Sequence, residues 1–224
     1  MSDLAVNGGS PVRRDGYPDW PVRDEREVAA IASCVRDGTW GGHPVPTPTA
    51  AEFSRRFAAY QGAAHGVLAA NGTVTLQVAL MALNIGWRDE VIVPAITFET
   101  TYYACIAAGA IPVVVDVSED TLTLDPERAA DAIAPATRAI MPVHMAHHMA
   151  DMDRIVALAQ SHGLAVIEDA AHAHGLQWRG MGAGCIGDFG SFSHQSSKTL
   201  TSGEGGSLLT NDERLAQLAS SPVR

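Results

Sequence analysis

Four short stretches of the chain combine residue types that do chemistry. In SFSHQSSKTLTSGEGG, residues 191–206, Lys198 stands among hydroxyls and glycines with no acid before Glu204. Those are the surroundings of a positioned amine, and a desolvated lysine gives up its proton more easily and becomes a nucleophile toward carbonyl carbon. A surface lysine beside an ordinary turn at Gly203, Gly205 and Gly206 is the alternative. In IEDAAHAHG, residues 167–175, Glu168 and Asp169 close an apolar run and are followed by small residues, His172 and His174. A carboxylate there can hold a cationic ring nitrogen, and the alanines leave room for a flat ligand; a turn former or helix cap is the plainer reading. Asn71-Gly72-Thr73 sits where an apolar run passes into a helical pattern. Bare backbone N–H groups and the positive end of a helix meet phosphate at such turns, although the triplet is neither a P-loop nor a GxGxxG motif and also serves as a simple cap. The fourth stretch, His144-Met145-Ala146-His147-His148, has the look of a metal cluster, with Asp151 or Asp153 as oxygen donors. It lacks the helical HExxH or HxxEH spacing of a zinc peptidase, and histidines lining a polar pocket are the preferred reading, so no metal site is expected.

The elements that must position these groups follow from periodicity. Residues 1–23 read as an irregular arm broken by Gly8, Gly9, Pro11, Pro18 and Pro21. A helix begins after Asp24, whose pairing with Glu27 makes a capping box; Val28, Ile31, Ala32 and Val35 share one face and Gly38 stops it. A second helix, with Thr49 as its cap, carries Phe53, Phe57 and Tyr60 and ends at Gly62. Short apolar runs at 66–70, 90–93, 111–115, 138–143, 164–168, 188–193 and 207–210 predict strands, and helices are expected over 73–84, 99–108, 126–134 and 152–162. Alternation of this kind predicts an α/β fold, a mostly parallel sheet flanked by helices, with ligands beyond the carboxyl ends of the strands. The division expected is an N-terminal arm with helices over 1–62 and a ligand-binding domain over 63–224.

Composition narrows the class of function. Of 224 residues, 25 are acidic against 15 basic, a formal charge of −10, which argues against nucleic acid or an anionic membrane as partner. Hydrophobic residues make up 46%, enough for a buried core. Cys34, Cys105 and Cys185 are odd in number and widely spaced, so no disulfide framework or CxxC site is expected. With no apolar run of membrane length and no secretory signal, the expectation is a cytoplasmic protein.

Taken in order, NGT, then Pro94-Ala95-Ile96-Thr97-Phe98, Pro142-Val143-His144, Glu168-Asp169-Ala170-Ala171-His172, and Lys198 with Gly203-Glu204-Gly205-Gly206, the chain resembles the DegT-type sugar aminotransferase family from about residue 17 onward. Its HMA…MADMD and DAAHAHG stretches resemble most the branches of 3-amino-5-hydroxybenzoate synthase and the scyllo-inosose aminotransferases. The resemblance implies the large domain of a fold-type I enzyme and the cofactor pyridoxal 5'-phosphate. By the same resemblance Lys198 would hold the cofactor through its amine and shuttle the proton, and Asp169 would pair with the pyridinium nitrogen. Phe98 would stack on the ring, with His172 near the ring or its phenolate oxygen; Gly72, Thr73 and Ser193 would cradle the phosphate, with Gln195 as a neighbour. Without the other motifs Phe98 reads as a core aromatic opening a helix.

The implied reaction is transamination of a keto sugar, cyclitol or related ring ketone, with glutamate or glutamine as donor, in antibiotic or cell-surface sugar biosynthesis. Relatives with histidine in place of the lysine perform dehydration, so the presence of Lys198 favours transamination. Family members are usually much longer, with a small C-terminal domain and a segment reaching a dimer partner's cofactor phosphate. The resemblance therefore implies a truncated chain, a homodimer in its full-length form, and apolar surface exposed by the cut, with poor solubility. An inactive cofactor-binding fragment or regulatory relative and a metal-dependent hydrolase are the competing readings.

Overall fold

A computed structural model describes residues 4–40 and 45–221. Helix α1 (Glu25–Asp37) has the expected capping box: Asp24 accepts from the Arg26 N–H, and Glu27 accepts from the Asp24 N–H at 2.7 Å. Its Val28, Ile31 and Val35 are all more than half exposed, so this apolar face is uncovered among the described residues. Helix α2 (Pro48–Gln61) starts earlier than expected. Thr47, not Thr49, caps it by accepting from the Ala50 N–H, because Pro48 lacks an N–H and fits the first helical turn.

Seven strands form one sheet: β1 (His65–Ala69), β2 (Glu90–Pro94), β3 (Ile111–Val115), β4 (Thr137–Ile140), β5 (Ala165–Asp169), β8 (Phe189–Ser193) and β9 (Gly206–Thr210), in the spatial order β1-β9-β8-β5-β4-β2-β3. Strands β3, β2, β4, β5 and β8 run parallel; β9 pairs antiparallel with both β8 and β1. Strand β4 stops short of the expected residue 143, since Pro142 has no N–H to give the ladder, and Val143 makes only an isolated bridge to Asp169. A two-residue hairpin, β6 (Gln177–Trp178) and β7 (Met181–Gly182), is too short to show alternation in the sequence. It turns through Arg179 and Gly180, both left-handed, as a tight hairpin requires.

Helices cover both faces because alternate strand residues point to opposite sides. Val91, Val93 and Phe189 pack with Leu76 and Leu80 of α3 (Gly72–Ala82), Ala104 of α4 (Thr100–Ala107) and Leu215 of α7 (Glu213–Ser220). Ile92, Ile140 and Val166 face the other way, toward Ala129 of α5 (Pro126–Asp131) and Met152 and Ile155 of α6 (Met152–His162). A third cluster joins Phe57 and Ala58 of α2 to Phe192 and Leu209. Helix α7 is absent from the expected elements, although its signal is present: Asp212 accepts from the Leu215 N–H, and Leu215 and Ala216 are buried. No helix among the described residues is long and apolar enough to cross a membrane. The three cysteines are free; burial pushes the Cys105 and Cys185 thiols up to about 12.

A tight backbone approach lies between β8 and the turn before it. A Cβ on Gly190 would run into the Cα and carbonyl of Gly184, backbone atoms that cannot swing aside. Gly190→Ala is expected to cost on the order of 3 kcal/mol and lower the thermal midpoint, whereas Gly16→Ala, with nothing within 4 Å of the added carbon, leaves it unchanged; thermal unfolding monitored by circular dichroism checks both.

Candidate active site

The two acids that end β5 have opposite duties because neighbouring strand residues face opposite ways. Glu168 is fully buried and accepts from the N–H groups of Gly184, Ile186 and Gly187 at 2.7–2.8 Å and from His144 Nε2 at 3.0 Å. His144 Nδ1 accepts from the Ala150 N–H, so the ring hydrogen on Nε2 is the one given to Glu168. Asp169, 6% exposed, turns the other way. Its Oδ2 accepts from Thr101 Oγ1 at 2.8 Å and its Oδ1 from the Ala171 N–H at 3.3 Å. Among the described residues no cationic nitrogen lies within ion-pair distance of this carboxylate. Thr101 is not among the site residues expected from sequence; its signal is a hydroxyl four residues from Thr97, whose Oγ1 lies 2.7 Å from that of Thr101.

Lys198 is the only lysine in the chain. It is half-buried in the turn after β8, where its N–H donates to the Gln195 carbonyl at 2.9 Å. Burial lowers its pKa, partly opposed by the negative charge of Asp169. The turn is held from several directions. Gln195 Oε1 accepts from both the N–H and the hydroxyl of Ser197, so this side chain shapes the lysine turn. His194 Nδ1 donates to the Leu200 carbonyl, leaving Nε2 to accept from Ser207 Oγ at 2.8 Å. From the N-terminal arm, the Trp20 indole donates to the Ser196 carbonyl at 3.0 Å.

At the start of α3, Asn71 caps by accepting from the Val74 N–H at 2.9 Å, while the N–H groups of Gly72 and Thr73 have no intrahelical acceptor to use. A Cβ on Gly72 would come to 3.0 Å from Ser193 Cβ, so glycine lets the start of the helix lie against β8 without displacing it. Gly72, Thr73 and Ser193 are thus brought together at one end of the sheet. Phe98 is 61% exposed, which overturns the core-aromatic reading and leaves its ring free to cover a ligand.

The histidine stretch does not converge on one point. His144 goes inward to Glu168, while His147 Nε2 reaches Thr199 Oγ1 of the lysine turn at 3.3 Å. No group of three His, Cys, Asp or Glu able to hold a metal exists among the described residues. Ala146 and His147 are both left-handed, and the Ala146 N–H donates to His172 Nδ1 at 3.4 Å. That bond leaves the His172 hydrogen on Nε2. Burial first, then the positive charge of Lys198, lowers the His172 pKa against the pull of Asp169. His174 lies deeper, 7% exposed against Phe57, Phe192 and His194, with no hydrogen-bond partner for either ring nitrogen among the described residues. Burial, with His194 beside it, lowers its pKa to about 4; the Ser193 backbone opposes this weakly without reaching hydrogen-bond geometry.

Comparison with known proteins shows the family and the fold. The DegT/DnrJ/EryC1/StrS aminotransferase family matches residues 21–221, and the chain belongs to that family. It is 44% identical over 217 residues to an L-glutamine:2-deoxy-scyllo-inosose aminotransferase of Streptoalloteichus tenebrarius, covering 96% of this chain and 51% of that protein. Among solved structures, 3-amino-5-hydroxybenzoic acid synthase is 39% identical with a TM-score of 0.86, over 91% of this chain and 53% of the other. NtdA of Bacillus subtilis, solved with bound cofactor PMP, is 30% identical with a TM-score of 0.80, over 87% of this chain and 43% of the other. The expected fold, a mostly parallel mixed sheet flanked by helices, is the fold of these aminotransferases. The chain spans about half the length of the curated relatives it matches.

The unpartnered His174 makes a stability prediction. Its folded pKa, about 4, lies below the ordinary 6.5, so below pH 6.5 the unfolded chain takes up a proton that the folded chain refuses. Stability is therefore expected to fall between pH 6.5 and about 4, by up to about 3 kcal/mol from this group. Denaturant unfolding across that range checks it: His174→Phe removes this part of the slope, while His194, lowered by burial as well, retains its own share.

Proposed function

We propose that this member of the DegT/DnrJ/EryC1/StrS aminotransferase family binds pyridoxal 5'-phosphate over residues 63–224, with 1–62 as its arm and accessory helices. The whole protein would transfer an amino group from glutamine or glutamate to a keto sugar, cyclitol or related ring ketone. The observation that carries this reading is a half-buried lysine of lowered pKa, sharing a site with a buried, neutrally hydrogen-bonded carboxylate. The residues present fit the cofactor. Asp169 has room in its charge balance for a cationic ring nitrogen, Gly72 and Thr73 offer N–H groups to a phosphate beside Ser193, and Phe98 offers an exposed face to a flat ring.

When bound, pyridoxal phosphate supplies an aldehyde carbon that takes and returns the amino group and a ring that withdraws electrons. The chain's own residues do the rest. Burial keeps a larger share of Lys198 unprotonated, so its amine would hold the cofactor and would accept and return a proton at Nζ. His172, with its hydrogen on Nε2, can donate to an oxygen on the ligand. Gln195 acts through the Lys198 turn.

The ketone class rests on relatives such as the 2-deoxy-scyllo-inosose aminotransferase, and the histidine loop at Ala146–His148 would line the mouth through which the ketone enters. The reading includes a cytoplasmic homodimer. Exposed Trp87, Met81, Tyr103 and Ile106, together with the open face of α1, offer apolar area for a second copy to cover.

The test uses the single lysine. On adding pyridoxal phosphate, the wild-type chain is expected to develop a visible absorbance band that borohydride removes, leaving a stable modification that peptide mapping places on Lys198. Lys198→Ala, which leaves no side-chain amine in the chain, is expected to show neither. A wild-type chain without the band would sink the proposal. Adding glutamine or glutamate to the loaded protein then separates a competent chain, whose band shifts, from one that only binds.

A further inference from the structure

We propose that Thr101, backed by Thr97, is a positioning residue that aims the Asp169 carboxylate and thereby sets the preference of the site for a ligand with a protonated ring nitrogen. This rests on the cofactor reading above. Asp169 sits at the end of β5 with 6% of its surface exposed, and an anionic carboxylate offers about four lone-pair positions. Among the described residues it receives two bonds, both from neutral groups, and the shorter is from Thr101 at 2.8 Å. A carboxylate held so sparingly can rotate about its own bond unless the strong donor pins one oxygen. Thr101 pins Oδ2, which leaves Oδ1 with only the longer Ala171 N–H contact at 3.3 Å and capacity to accept from a ligand.

Thr101 is built to hold that aim. It is fully buried in the first turn of α4, where its branched side chain has few rotamers. Its hydroxyl has one hydrogen, and an anionic Asp169 can only accept it. The 2.7 Å contact between the two threonines must then run from Thr97 to Thr101, so the hydroxyl pair forms a chain with one direction, Thr97 to Thr101 to Asp169. Bonds in such a chain polarise one another, and the one reaching the charge is the strongest. Lys198 is not within ion-pair distance of Asp169, so it does not pin that carboxylate.

The test compares pyridoxal phosphate with its deaza analogue, in which CH replaces the ring nitrogen, by equilibrium titration of the 224-residue chain. Wild type is expected to prefer pyridoxal phosphate. Thr101→Val is expected to narrow that preference by about tenfold or more while binding the deaza analogue as wild type does; Thr101→Ser should keep the preference. In an Asp169→Asn background, Thr101→Val should have no further effect on the preference. A Thr101→Val protein that keeps the full preference, or that loses affinity for both ligands equally, overturns the inference, the latter because a structural role would do that. If Thr101→Val does not fold, Thr97→Val is judged by the same comparison, with a smaller narrowing expected and an unchanged preference counting against the proposal. Failure of the wild-type chain to bind pyridoxal phosphate appears before any variant is made, and it removes the cofactor reading and this inference together.

Discussion

The satisfaction of one buried carboxylate holds the rest of the site in register. Burying an anion is costly unless hydrogen bonds replace its water, and Glu168 obtains four, three from consecutive turns of backbone at Gly184, Ile186 and Gly187 and one from His144. Those four donors come from both sides of β5, so the strand's end cannot shift without breaking several of them. The next residue, Asp169, inherits this rigidity while facing the other way. A carboxylate on such an anchored strand keeps a fixed position, and His144, fixed by the same anion, carries the histidine loop to His172 and Thr199.

Much of this was legible in the residues. The strand-and-helix alternation set the layers, because Val91, Ile92 and Val93 send their side chains to two different apolar clusters as a doubly covered strand requires. Asp169, Lys198 and Gly72 stand where the motifs put them, since each terminates or follows an element whose periodicity was clear. What stayed hidden depends on tertiary contact. Thr101 is one hydroxyl among many until β5 is brought beside α4, and Glu168 is indistinguishable from Asp169 until the strand's two faces have neighbours. Gln195, expected as a neighbour of the phosphate, also bonds within the turn that carries the lysine, which its position alone does not tell. The open apolar face of α1 illustrates the converse: a periodic stripe says that a helix has a side meant for burial and nothing of what lies there.

The lysine turn belongs to no single element. It is tied to the N-terminal arm through Trp20, to the histidine loop through His147, and to β9 through the His194–Ser207 bond. Beneath it, His174 and His194 lie among Phe53, Phe57 and Phe192, an apolar floor whose imidazoles resist charge. The polar ties above this floor keep the backbone of the turn in place.

The strand order carries a consequence for how the site is made. Strand β1 is synthesised early, but its hydrogen-bonding partner is β9, with His65 opposite Thr210, so its edge stays unpaired until almost the whole of this sequence has emerged. Closing so long a loop is slow and exposes that edge meanwhile. The lysine turn lies between β8 and β9 and is fixed only when that last ladder zips, long after the parallel strands have had time to assemble. The geometry of the lysine turn is therefore a late property of the nascent chain, and it reports that the sheet has closed.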